Sequence, residues 1–577
     1  MYRVPSIEDA IVALVRGDPQ ERYQRWVRAY DTLDAEDLSA MRAELTRIIE
    51  PPLLSVIVPI EGGSEARSEE IKQSLRAQVY ERWEVEFVHA RVAEEWNAAL
   101  RSARGDFIVV VDPNVSLRSH ALFLLSWSIV REPAMILVYG DEDEIDDIGR
   151  RSRHYFKPDW NEALFRSQNY LGGVVGFRRS HAVAAGGCQD ELDVDCAWGL
   201  FLRMTSTAPP GTIHHLPFIL SHRRRQAGGS RDEPARRDRT ARALEKRLAE
   251  IGERAYVEPV GETSYRTRYA LPKKPATVTI VLPTAGKLDF LRPCLEGVLN
   301  RTSYSDLEVI VVVDRTRVDS AEQRDYLESV AVRPEVRLLF NEERPYNFSK
   351  VNNSGAEHAH GELVCFLNDD TEVIGCDWLA SMVSRAVQEH VGAVGAMLLY
   401  PNERIQHAGV VLGAGGVGAH AYRGRPRGIS GYHDRALVDQ DVSCVTAACM
   451  LVRRNAFAEV GGFDEKFIFA FSDVDLCLRL REAGWRIVWT PSAELYHKES
   501  ASMGLHHARG RETQWAAELA LIHGRWGEQL LSDPHYSPNL SLDALELWEP
   551  AFPRRVSYPW RLERTTGDAA LLPAARS

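Results

Sequence analysis

The chain has 577 residues, of which 45% are hydrophobic and 26% are charged, and its formal net charge is −12. This length predicts two or three domains with sizeable cores, and the composition is ordinary for a soluble globular protein. The negative charge argues against non-specific binding to a polyanion, so nucleic acid is excluded as an expected partner.

The sequence predicts neither a secretory leader nor a membrane span. Residues 1–16 lack a basic start followed by an apolar core. The longest apolar stretch, near 121–130, is far shorter than the ~20 residues that a span needs. The eight cysteines are scattered without a C-x-x-C pair, which favours buried free thiols in a reducing compartment. We therefore expect a cytoplasmic protein, at most peripheral at the inner face of the cell membrane.

Apolar periodicity along the chain predicts an α/β protein. Helical spacing over 6–50 is followed by the strand LLSVIVPI (53–60), a helix at 71–78 and a strand at 83–89. This alternation continues and predicts mostly parallel, Rossmann-like sheets. The expected organisation is a helical segment (1–50), an α/β domain (51–230), a linker with a helix (231–275), a second α/β domain (276–545) and a tail (546–577).

The two α/β domains repeat each other. NAALRSARGDFIVVVDPN (97–114) aligns with NSGAEHAHGELVCFLNDD (353–370), and HHLPFILSH (214–222) aligns with WTPSAELYH (489–497). We infer an internal duplication in which only the second copy keeps an acidic strand end. Such strand ends are where α/β proteins hold phosphates and metals.

Acidic residues follow two predicted strands of the second copy. Asp314 closes LEVIVVVD, while Asn368, Asp369 and Asp370 close LVCFL. Crowded carboxylates repel each other unless a cation compensates, and Mg²⁺ or Mn²⁺ suits oxygen ligands. An acidic turn that caps the next helix is the alternative, and this motif alone leaves the two interpretations balanced.

Two further elements favour a site. Asp473 and Asp475 precede an amphipathic helix, whose dipole favours anionic side chains, and one of them is expected to be a simple N-cap. His497 follows a strand and offers a nitrogen ligand. A lone histidine more often has a structural role. Because His222 occupies the same place in the first copy, however, a metal-binding role for His497 and a structural role are equally favoured.

The ordered set of motifs in the second copy resembles the family 2 glycosyltransferases of the GT-A fold. The matching segments are YNFSKVNNSGAEHAHGELVCFLNDDTEV (346–373), VGAVGAMLLYPNERIQHAGVVLG (391–413), GGFDEKF (461–467) and SDVDLCLRLREAGWRIVWTPSAELYHKESAS (472–502). The resemblance is greatest to the bacterial branch that acts in O-antigen and rhamnan-type polysaccharide synthesis. YGDEDEID (139–146) extends it to the tandem amino-terminal domain of that branch.

The resemblance implies two tandem GT-A-like domains, the second a metal-dependent, inverting hexosyl or deoxyhexosyl transferase. Asp473 is the implied general base, and Asp370 with His497 would bind Mn²⁺ or Mg²⁺. The donor would be a UDP-, dTDP- or GDP-sugar, and the acceptor a glycan or lipid-linked oligosaccharide. The residues implied to bind the nucleotide sugar are Thr284, Asp314, Lys350, Asn353 and Asp369. Asp475 and Arg423 are assigned to the acceptor side.

The first copy departs from the family pattern at three positions. His89 stands at the end of the strand where a nucleotide-binding Asp is expected, Asn114 stands at the metal-ligand position, and Ala197 aligns with Asp473. We therefore expect the first copy to be non-catalytic, binding the acceptor glycan or docking against the second copy. A bifunctional enzyme with two active domains is the alternative.

Two other functions remain open at this level. A sugar-1-phosphate nucleotidyltransferase needs a Gly-rich basic loop, which PTAGKLDF (283–290) matches poorly. A non-catalytic glycan-binding scaffold would be favoured by loss of Asp370 and Asp473, and both are present. The Gly-rich segment 409–434, which carries Arg423, is expected to form a mobile loop over the acceptor side.

Overall fold

The computed structural model describes residues 18–60, 65–189, 196–224, 233–342, 344–498 and 512–561. Three predicted features lie partly outside these ranges: the leading helix over 6–17, the linker over 225–232 and the tail beyond 561. The described chain forms two compact units. The amino-terminal unit takes residues up to Trp160, Gln168–Arg247 and those from Tyr536 onward, and the carboxyl-terminal unit takes Asn161–Ser167 and Leu248–His535.

The amino-terminal unit is built on one mixed sheet. Its strands are β1 (Leu54–Ile60), β2 (Trp83–His89), β3 (Phe107–Val111), β4 (Val115–Leu117), β5 (Leu137–Ile145), β6 (Arg151–Tyr155), β7 (Val174–Arg178) and β8 (Ile213–Arg224). They lie in the order β2-β1-β3-β7-β5-β8-β4, with β6 beside β5. β1 pairs in parallel with β2 and β3, whereas β7 runs antiparallel to both of its neighbours.

Helices cover this sheet and bury its apolar side chains. They are Pro19–Tyr30, Ala35–Arg47, Glu65–Arg76, Ala93–Ser102, Ala121–Arg131, Arg179–Ala184, Cys196–Ser206 and Glu233–Glu250. The end of the described chain belongs to the same core, because Tyr558 and Trp560 are buried within it. The Trp560 indole N–H donates to Asp37 at 3.0 Å. Residues 546–561 are therefore part of this unit, where the sequence predicts a separate tail.

The carboxyl-terminal unit contains a larger mixed sheet and two hairpins. Its sheet strands are β11 (Val278–Thr284), β12 (Leu307–Asp314), β13 (Val336–Asn341), β14 (Leu363–Leu367), β15 (Thr371–Val373), β16 (Val391–Leu399), β17 (Ile405–His407), β20 (Gln440–Asp441), β21 (Cys449–Arg453) and β22 (Arg486–His497). The hairpins are β9 (Ala255–Val260) with β10 (Ser264–Tyr269), and β18 (Val410–Leu412) with β19 (Gly418–His420).

The helices of this unit are Glu162–Ser167, Leu288–Asn300, Ala321–Ala331, Phe348–Glu357, Trp378–Ala386, Arg454–Glu459, Ser472–Glu482 and Glu512–Trp526. Short 3-10 turns lie at Arg315–Arg317, Ala414–Gly416, Tyr432–Asp434 and Gln529–Leu531. The segment 231–275, predicted as a linker, contributes its β9–β10 hairpin to this unit.

The two sheets share one topology. The larger sheet runs β13-β12-β11-β14-β21-β16-β22-β15. Without the edge strand β13, this order matches that of the first sheet strand for strand, and β17 lies beside β16 as β6 lies beside β5. The predicted α/β class with two tandem copies is thereby confirmed. The sheets are mixed, where strand–helix alternation predicted mostly parallel pairing, because β7 and its counterpart β21 run antiparallel to their neighbours.

One edge of the larger sheet collects the polar residues of interest. β11 pairs in parallel with β12 and with β14, so their carboxyl ends lie side by side. These strands end at Thr284, Asp314 and Leu367, and Asn368–Asp370 follow directly. This is the edge at which open α/β sheets bind ligands.

Within the described ranges, no helix combines the length and the apolar character needed to cross a membrane. Seven cysteines with described side chains are free thiols, and six of them are buried while Cys376 is exposed: Cys188, Cys294, Cys365, Cys376, Cys444, Cys449 and Cys477.

Candidate active site

A cavity of about 370 Å³ opens at this edge of the larger sheet. Six of the residues predicted for the site line it: Thr284, Asp314, Asp369, Asp370, Asp473 and His497. They are far apart in sequence. Five of them lie at or just after the ends of β11, β12, β14 and β22 in one sheet, and Asp473 comes from the helix Ser472–Glu482.

Asp370 and His497 meet because β15 pairs antiparallel with the end of β22. The backbone N–H of Lys498 donates to the carbonyl oxygen of Asp370 at 3.0 Å. The side chains then face each other, with His497 Nε2 at 3.1 Å from Asp370 Oδ1. Both residues are buried, His497 being 7% exposed and Asp370 3% exposed.

Gln406 fixes the proton position on His497. Its Oε1 lies 2.8 Å from His497 Nδ1, so this nitrogen carries the hydrogen and donates it. The other ring nitrogen, Nε2, then has a lone pair that faces Asp370 Oδ1. This oxygen receives no hydrogen bond from the described residues. In a neutral ring these two lone pairs repel each other at this distance unless a proton or a metal cation lies between them.

The pair fits a divalent metal. Neighbouring ligands of a six-coordinate ion bound at about 2.1 Å are about 3.0 Å apart, close to the observed separation. A metal-binding histidine also typically donates its other N–H to an oxygen acceptor, as His497 does to Gln406. Within the described ranges, no group of three or more His, Cys, Asp or Glu side chains is arranged to hold a metal. The protein would thus supply two ligands and leave the rest to substrate oxygens and water, as is usual for Mg²⁺.

Asp369 is turned towards Thr284. The Thr284 hydroxyl donates to Asp369 Oδ2 at 2.6 Å, and the N–H of Gly286 donates to Thr284 Oγ1 at 2.9 Å. Burial raises the pKa of Asp369 to about 6 despite the hydrogen bond from Thr284, and the neighbouring Asp370 carboxylate adds to the rise. Thr284 and Asp369 therefore form one bonded pair on the cavity wall.

Asp314 is anchored by one of its two oxygens. Its Oδ1 accepts from the guanidinium of Arg344 at 2.7 Å and from the hydroxyl of Thr316 at 2.9 Å. Its Oδ2 is buried and receives no hydrogen bond from the described residues, although Arg317 Nε is 3.4 Å away. This oxygen can accept a hydrogen bond from a ligand.

Asp473 lies in the first turn of the helix Ser472–Glu482. Its Oδ2 accepts from the backbone N–H of Ala447 at 3.2 Å, and its Oδ1 accepts from that of Val474 at 2.9 Å. Phe471, directly before the helix, has a φ of 59°. This left-handed conformation costs a non-glycine residue on the order of 1–3 kcal/mol, and such strain clusters at functional sites.

Glu518 holds the loop that leads to Phe471. Its carboxylate accepts from the backbone N–H groups of three consecutive residues, Ile468 at 3.1 Å, Phe469 at 3.3 Å and Ala470 at 2.7 Å. Glu518 is 1% exposed, so the acceptor of these three charge-assisted bonds is a buried carboxylate. The helix Glu512–Trp526 thereby fixes one wall of the cavity.

Asn353, predicted to bind the nucleotide sugar, does not line the cavity. Its amide accepts from the backbone N–H of Phe463 at 2.9 Å and donates to the Phe463 carbonyl at 2.9 Å. Asn97 makes the same two bonds to Cys188 within the first copy. In both copies this residue joins a helix to the turn that follows a Gly-Gly pair, which is a structural role.

The three other predicted residues also lie outside the cavity lining. Asp475 is fully buried, and its carboxylate pairs with Arg479 at 2.8 Å and with Arg525 at 2.6 Å. Lys350 Nζ lies 4.0 Å from a Glu465 oxygen. Arg423 Nε donates to the hydroxyl of Tyr400 at 2.9 Å. Asp475 is therefore an ion-pair partner inside the fold, where the sequence assigned it to the acceptor side.

Sequence reasoning missed Gln406 and Glu518. Gln406 lies within a segment that carries the resemblance, but only the pairing of β17 with β16 shows that it reaches His497. Glu518 contacts a loop about 50 residues earlier in the chain. The Gly-rich segment, predicted to be a mobile loop, forms the β18–β19 hairpin, and the N–H of Leu412 donates to Asp533 at 2.8 Å.

The fold and the cavity together define an α/β protein whose second copy carries an acidic site, in which Asp370 and His497 are spaced to bind a metal ion. Residues 275–518 match the family model described as glycosyltransferase-like family 2. The matched segment contains the residues that line the cavity.

Two curated relatives align with most of the chain. Uncharacterized protein y4gI of Sinorhizobium fredii is 34% identical over 90% of this chain and 61% of its own length. O-antigen biosynthesis protein RfbC of Myxococcus xanthus is 32% identical over 88% of this chain and 42% of its own length. The chain thus spans about three fifths and two fifths of these proteins. A mannosyltransferase of Pyrobaculum calidifontis, solved with GDP-Man and Mn²⁺, is 17% identical over 45% of this chain and 66% of that one, with a TM-score of 0.32.

Proposed function

We propose that the carboxyl-terminal unit is a metal-dependent, inverting glycosyltransferase. It moves a sugar from a UDP-, dTDP- or GDP-sugar to a hydroxyl of a growing surface polysaccharide or a lipid-linked oligosaccharide. The observation that carries the proposal is the facing pair of Asp370 Oδ1 and His497 Nε2 in the same cavity as Asp473. The family of residues 275–518 and the relative named for O-antigen biosynthesis support this choice of reaction and acceptor.

Asp370 and His497 would hold Mn²⁺ or Mg²⁺. Such an ion stabilises the negative charge that develops on a departing diphosphate. Asp314 and the bonded pair of Thr284 and Asp369 offer oxygen atoms to the hydroxyl and N–H groups of the nucleoside.

Asp473 acts as the general base. Its carboxylate takes the proton from the acceptor hydroxyl while that oxygen bonds to the anomeric carbon and the bond from this carbon to the diphosphate oxygen breaks. General-base assistance of this kind is worth roughly 10²–10⁴-fold. Because no covalent intermediate is formed, the configuration at the anomeric carbon inverts.

The amino-terminal copy is non-catalytic in this proposal, because its own residues fill the corresponding positions. Asp112, which aligns with Asn368, pairs with Arg223 at 2.9 Å. His222, which aligns with His497, has Nδ1 at 2.5 Å from Asp143 Oδ1. Asn114 replaces the metal-binding carboxylate of Asp370. An ion pair at Asp112 and a hydrogen bond at His222 thus take the place of the facing lone pairs found in the second copy.

The proposal is tested by thermal denaturation of the full chain with Mn²⁺ and a panel of UDP-glucose, dTDP-L-rhamnose and GDP-mannose. A true donor at 100 times its dissociation constant stabilises the wild type by about 2.7 kcal/mol. Asp370→Ala should lose most of that shift, whereas Asp306→Ala, an exposed carboxylate on the same unit, should retain it. Stabilisation of Asp370→Ala equal to that of the wild type would refute the metal assignment.

A further inference from the structure

A short segment, Thr446–Ala448, connects the metal side of the cavity with the proposed base. It directly precedes β21, which pairs antiparallel with β14. The carbonyl oxygen of Ala448 accepts from the N–H of Asn368 at 3.0 Å, at the end of β14. One residue earlier, the N–H of Ala447 donates to Asp473 at 3.2 Å. The segment is therefore bonded to both functional ends of the cavity.

The side chains of Val445 and Thr446 lie in different surroundings, although the two residues are neighbours in sequence. Val445 is fully buried, and a Cβ atom added at Gly395 would lie 2.4 Å from Val445 Cγ1, so Val445 fills the space above this glycine. Thr446 is half-buried and lines the cavity. Val445 thus serves the core, and Thr446 presents its side chain to a ligand.

The hydroxyl of Thr446 keeps its hydrogen for a ligand. Its Oγ1 accepts from the backbone N–H of Ala448 at 3.3 Å. A threonine hydroxyl has one hydrogen and two lone pairs, so this bond uses one lone pair and leaves the hydrogen. Among the described residues this hydrogen has no acceptor. The backbone N–H of Thr446 is used separately, by His407 Nε2 at 3.5 Å.

The position of Thr446 determines which part of the nucleotide sugar it faces. In a direct displacement the transferred sugar lies between the leaving diphosphate and the attacking hydroxyl. Asp370 and His497 mark the diphosphate end of the cavity, and Asp473 marks the end of the attacking hydroxyl. Because the segment that carries Thr446 joins these two ends, its hydroxyl faces the sugar.

We infer that the Thr446 hydroxyl donates a hydrogen bond to a hydroxyl oxygen of the transferred sugar, which makes Thr446 a specificity-determining residue. The inference rests on the proposed function and assigns recognition of the sugar to the segment before β21. The contact requires an oxygen atom at one position of the sugar, so a nucleotide sugar that lacks this oxygen binds less tightly. A hydroxyl donor also adds no charge beside the divalent ion.

Calorimetric titration of the full chain with Mn²⁺ tests this assignment. The ligands are the nucleotide sugar that stabilises the wild type in the panel above and the nucleoside diphosphate of the same base. Thr446→Val keeps the shape of the side chain and removes the hydroxyl. It should bind the nucleotide sugar about three- to tenfold more weakly, the effect of one neutral hydrogen bond. It should bind the nucleoside diphosphate as tightly as the wild type does.

Two further variants serve as controls. Thr446→Ser retains the hydroxyl and should bind the nucleotide sugar within about twofold of the wild type. Thr277→Val should leave both affinities unchanged, because the Thr277 hydroxyl also accepts a backbone N–H, that of Glu362 at 3.0 Å, but does not line the cavity. If Thr446→Val fails to fold cooperatively, Thr446→Ala, which also lacks the hydroxyl, replaces it.

A series of analogues, in which each sugar hydroxyl in turn is replaced by hydrogen, separates a direct contact from an effect on the segment. The wild type should bind the analogue that lacks the contacted hydroxyl about three- to tenfold more weakly than the parent nucleotide sugar. Thr446→Val should bind this analogue as tightly as the wild type does, because the partner of the lost hydroxyl is already absent. If Thr446→Val weakens every analogue by the same factor as the parent, the inference is overturned.

Equal weakening of the nucleotide sugar and the nucleoside diphosphate in Thr446→Val would show that the substitution acts on the diphosphate end, and would overturn the inference. Unchanged binding of the nucleotide sugar would overturn it as well. Either result, obtained while the wild type binds a nucleotide sugar, leaves the proposed function intact. If the wild type binds no nucleotide sugar of the panel, the proposed function fails and this inference fails with it.

Discussion

His497 Nδ1 and Gln406 Oε1 are 2.8 Å apart, and this contact orients the ring whose other nitrogen faces Asp370. Without the Gln406 acceptor, the His497 ring can rotate and its hydrogen is no longer held on Nδ1. Gln406→Leu should therefore weaken Mn²⁺ binding about 10–100-fold, the usual effect of losing such a supporting contact. Gln406→Glu keeps an oxygen acceptor and should bind Mn²⁺ at least as tightly as the wild type. Titration followed by the electron paramagnetic resonance of free Mn²⁺ measures both, and equal affinities in the two variants would contradict the role of Gln406.

Asp473→Asn should lower kcat by about 10²–10⁴-fold, because the amide cannot take the acceptor proton. The amide oxygen can still accept from the backbone N–H of Ala447, while the N–H of Val474 loses its acceptor. The variant should therefore fold with a small loss of stability and keep the donor KM of the wild type. Steady-state kinetics of nucleoside diphosphate release with acceptor present measures this split. A variant with more than a tenth of the wild-type kcat would exclude Asp473 as the base.

Asp112→Ala should leave kcat within about twofold of the wild type, because the amino-terminal copy takes no part in the chemistry proposed here. The substitution removes a half-exposed pair with Arg223, and such pairs contribute about 0–1 kcal/mol to folding. The comparison is with Asp370→Ala under the same assay. A tenfold fall in kcat for Asp112→Ala would favour the bifunctional alternative. So would the disappearance of one of two glycosylated products.

His215 should make the stability of the amino-terminal unit depend on pH. Burial lowers the pKa of His215, but Asp141 at 2.8 Å and Asp159 at 3.2 Å outweigh burial and raise it to about 9. Since the folded pKa lies above the usual value of about 6.5, the contribution is complete below that pH and is lost as the pH rises through about 9. It amounts to about 3 kcal/mol.

The measurement compares the unfolding free energy of the wild type with that of His215→Gln by denaturant titration between pH 6 and pH 10. The stability advantage of the wild type should shrink by about 3 kcal/mol across this range. An advantage that stays constant, or grows with pH, would show that the two carboxylates do not stabilise the imidazolium.

Glu518→Ala should destabilise the carboxyl-terminal unit by about 3 kcal/mol, because the backbone N–H groups of Ile468–Ala470 lose their acceptor. The same loop leads to Phe471 and Asp473, so kcat should fall more than the affinity for the nucleoside diphosphate. Denaturant titration and steady-state kinetics separate the two effects. Gln514→Ala is the matched control, since Gln514 donates to the same carboxylate from within the helix. A loss of nucleoside diphosphate affinity equal to the loss of kcat would show that Glu518 does not act through this loop.

The strand ends of the site were predictable from sequence because a parallel α/β sheet places the carboxyl ends of neighbouring strands together. Thr284, Asp314 and Asp369–Asp370 each follow a buried apolar run, and that local pattern determines their edge of the sheet. The internal repeat also made His497 predictable as a site residue, because His222 stands at the matching place in the first copy.

Other contacts were not predictable because they depend on side-chain direction within an element. Asp473 and Asp475 are two residues apart on one helix, yet one lines the cavity and the other is buried against Arg525. Asn353 stands within a resembling motif, but its amide is used by the backbone of Phe463. The partners Arg525 and Phe463 come from distant segments, and periodicity along one element carries no information about them.

The path of the chain has a consequence for dissecting this protein into fragments. After the long segment Leu248–His535 of the second unit, the chain returns to the first unit and buries Tyr558 and Trp560 in its core. A truncated protein that ends at His535 would retain every residue assigned to catalysis. Its amino-terminal unit, however, would lack the buried aromatic rings of Tyr558 and Trp560. Separate expression of that unit would require residues 536–561 to be joined back by a permuted connection or supplied as a peptide.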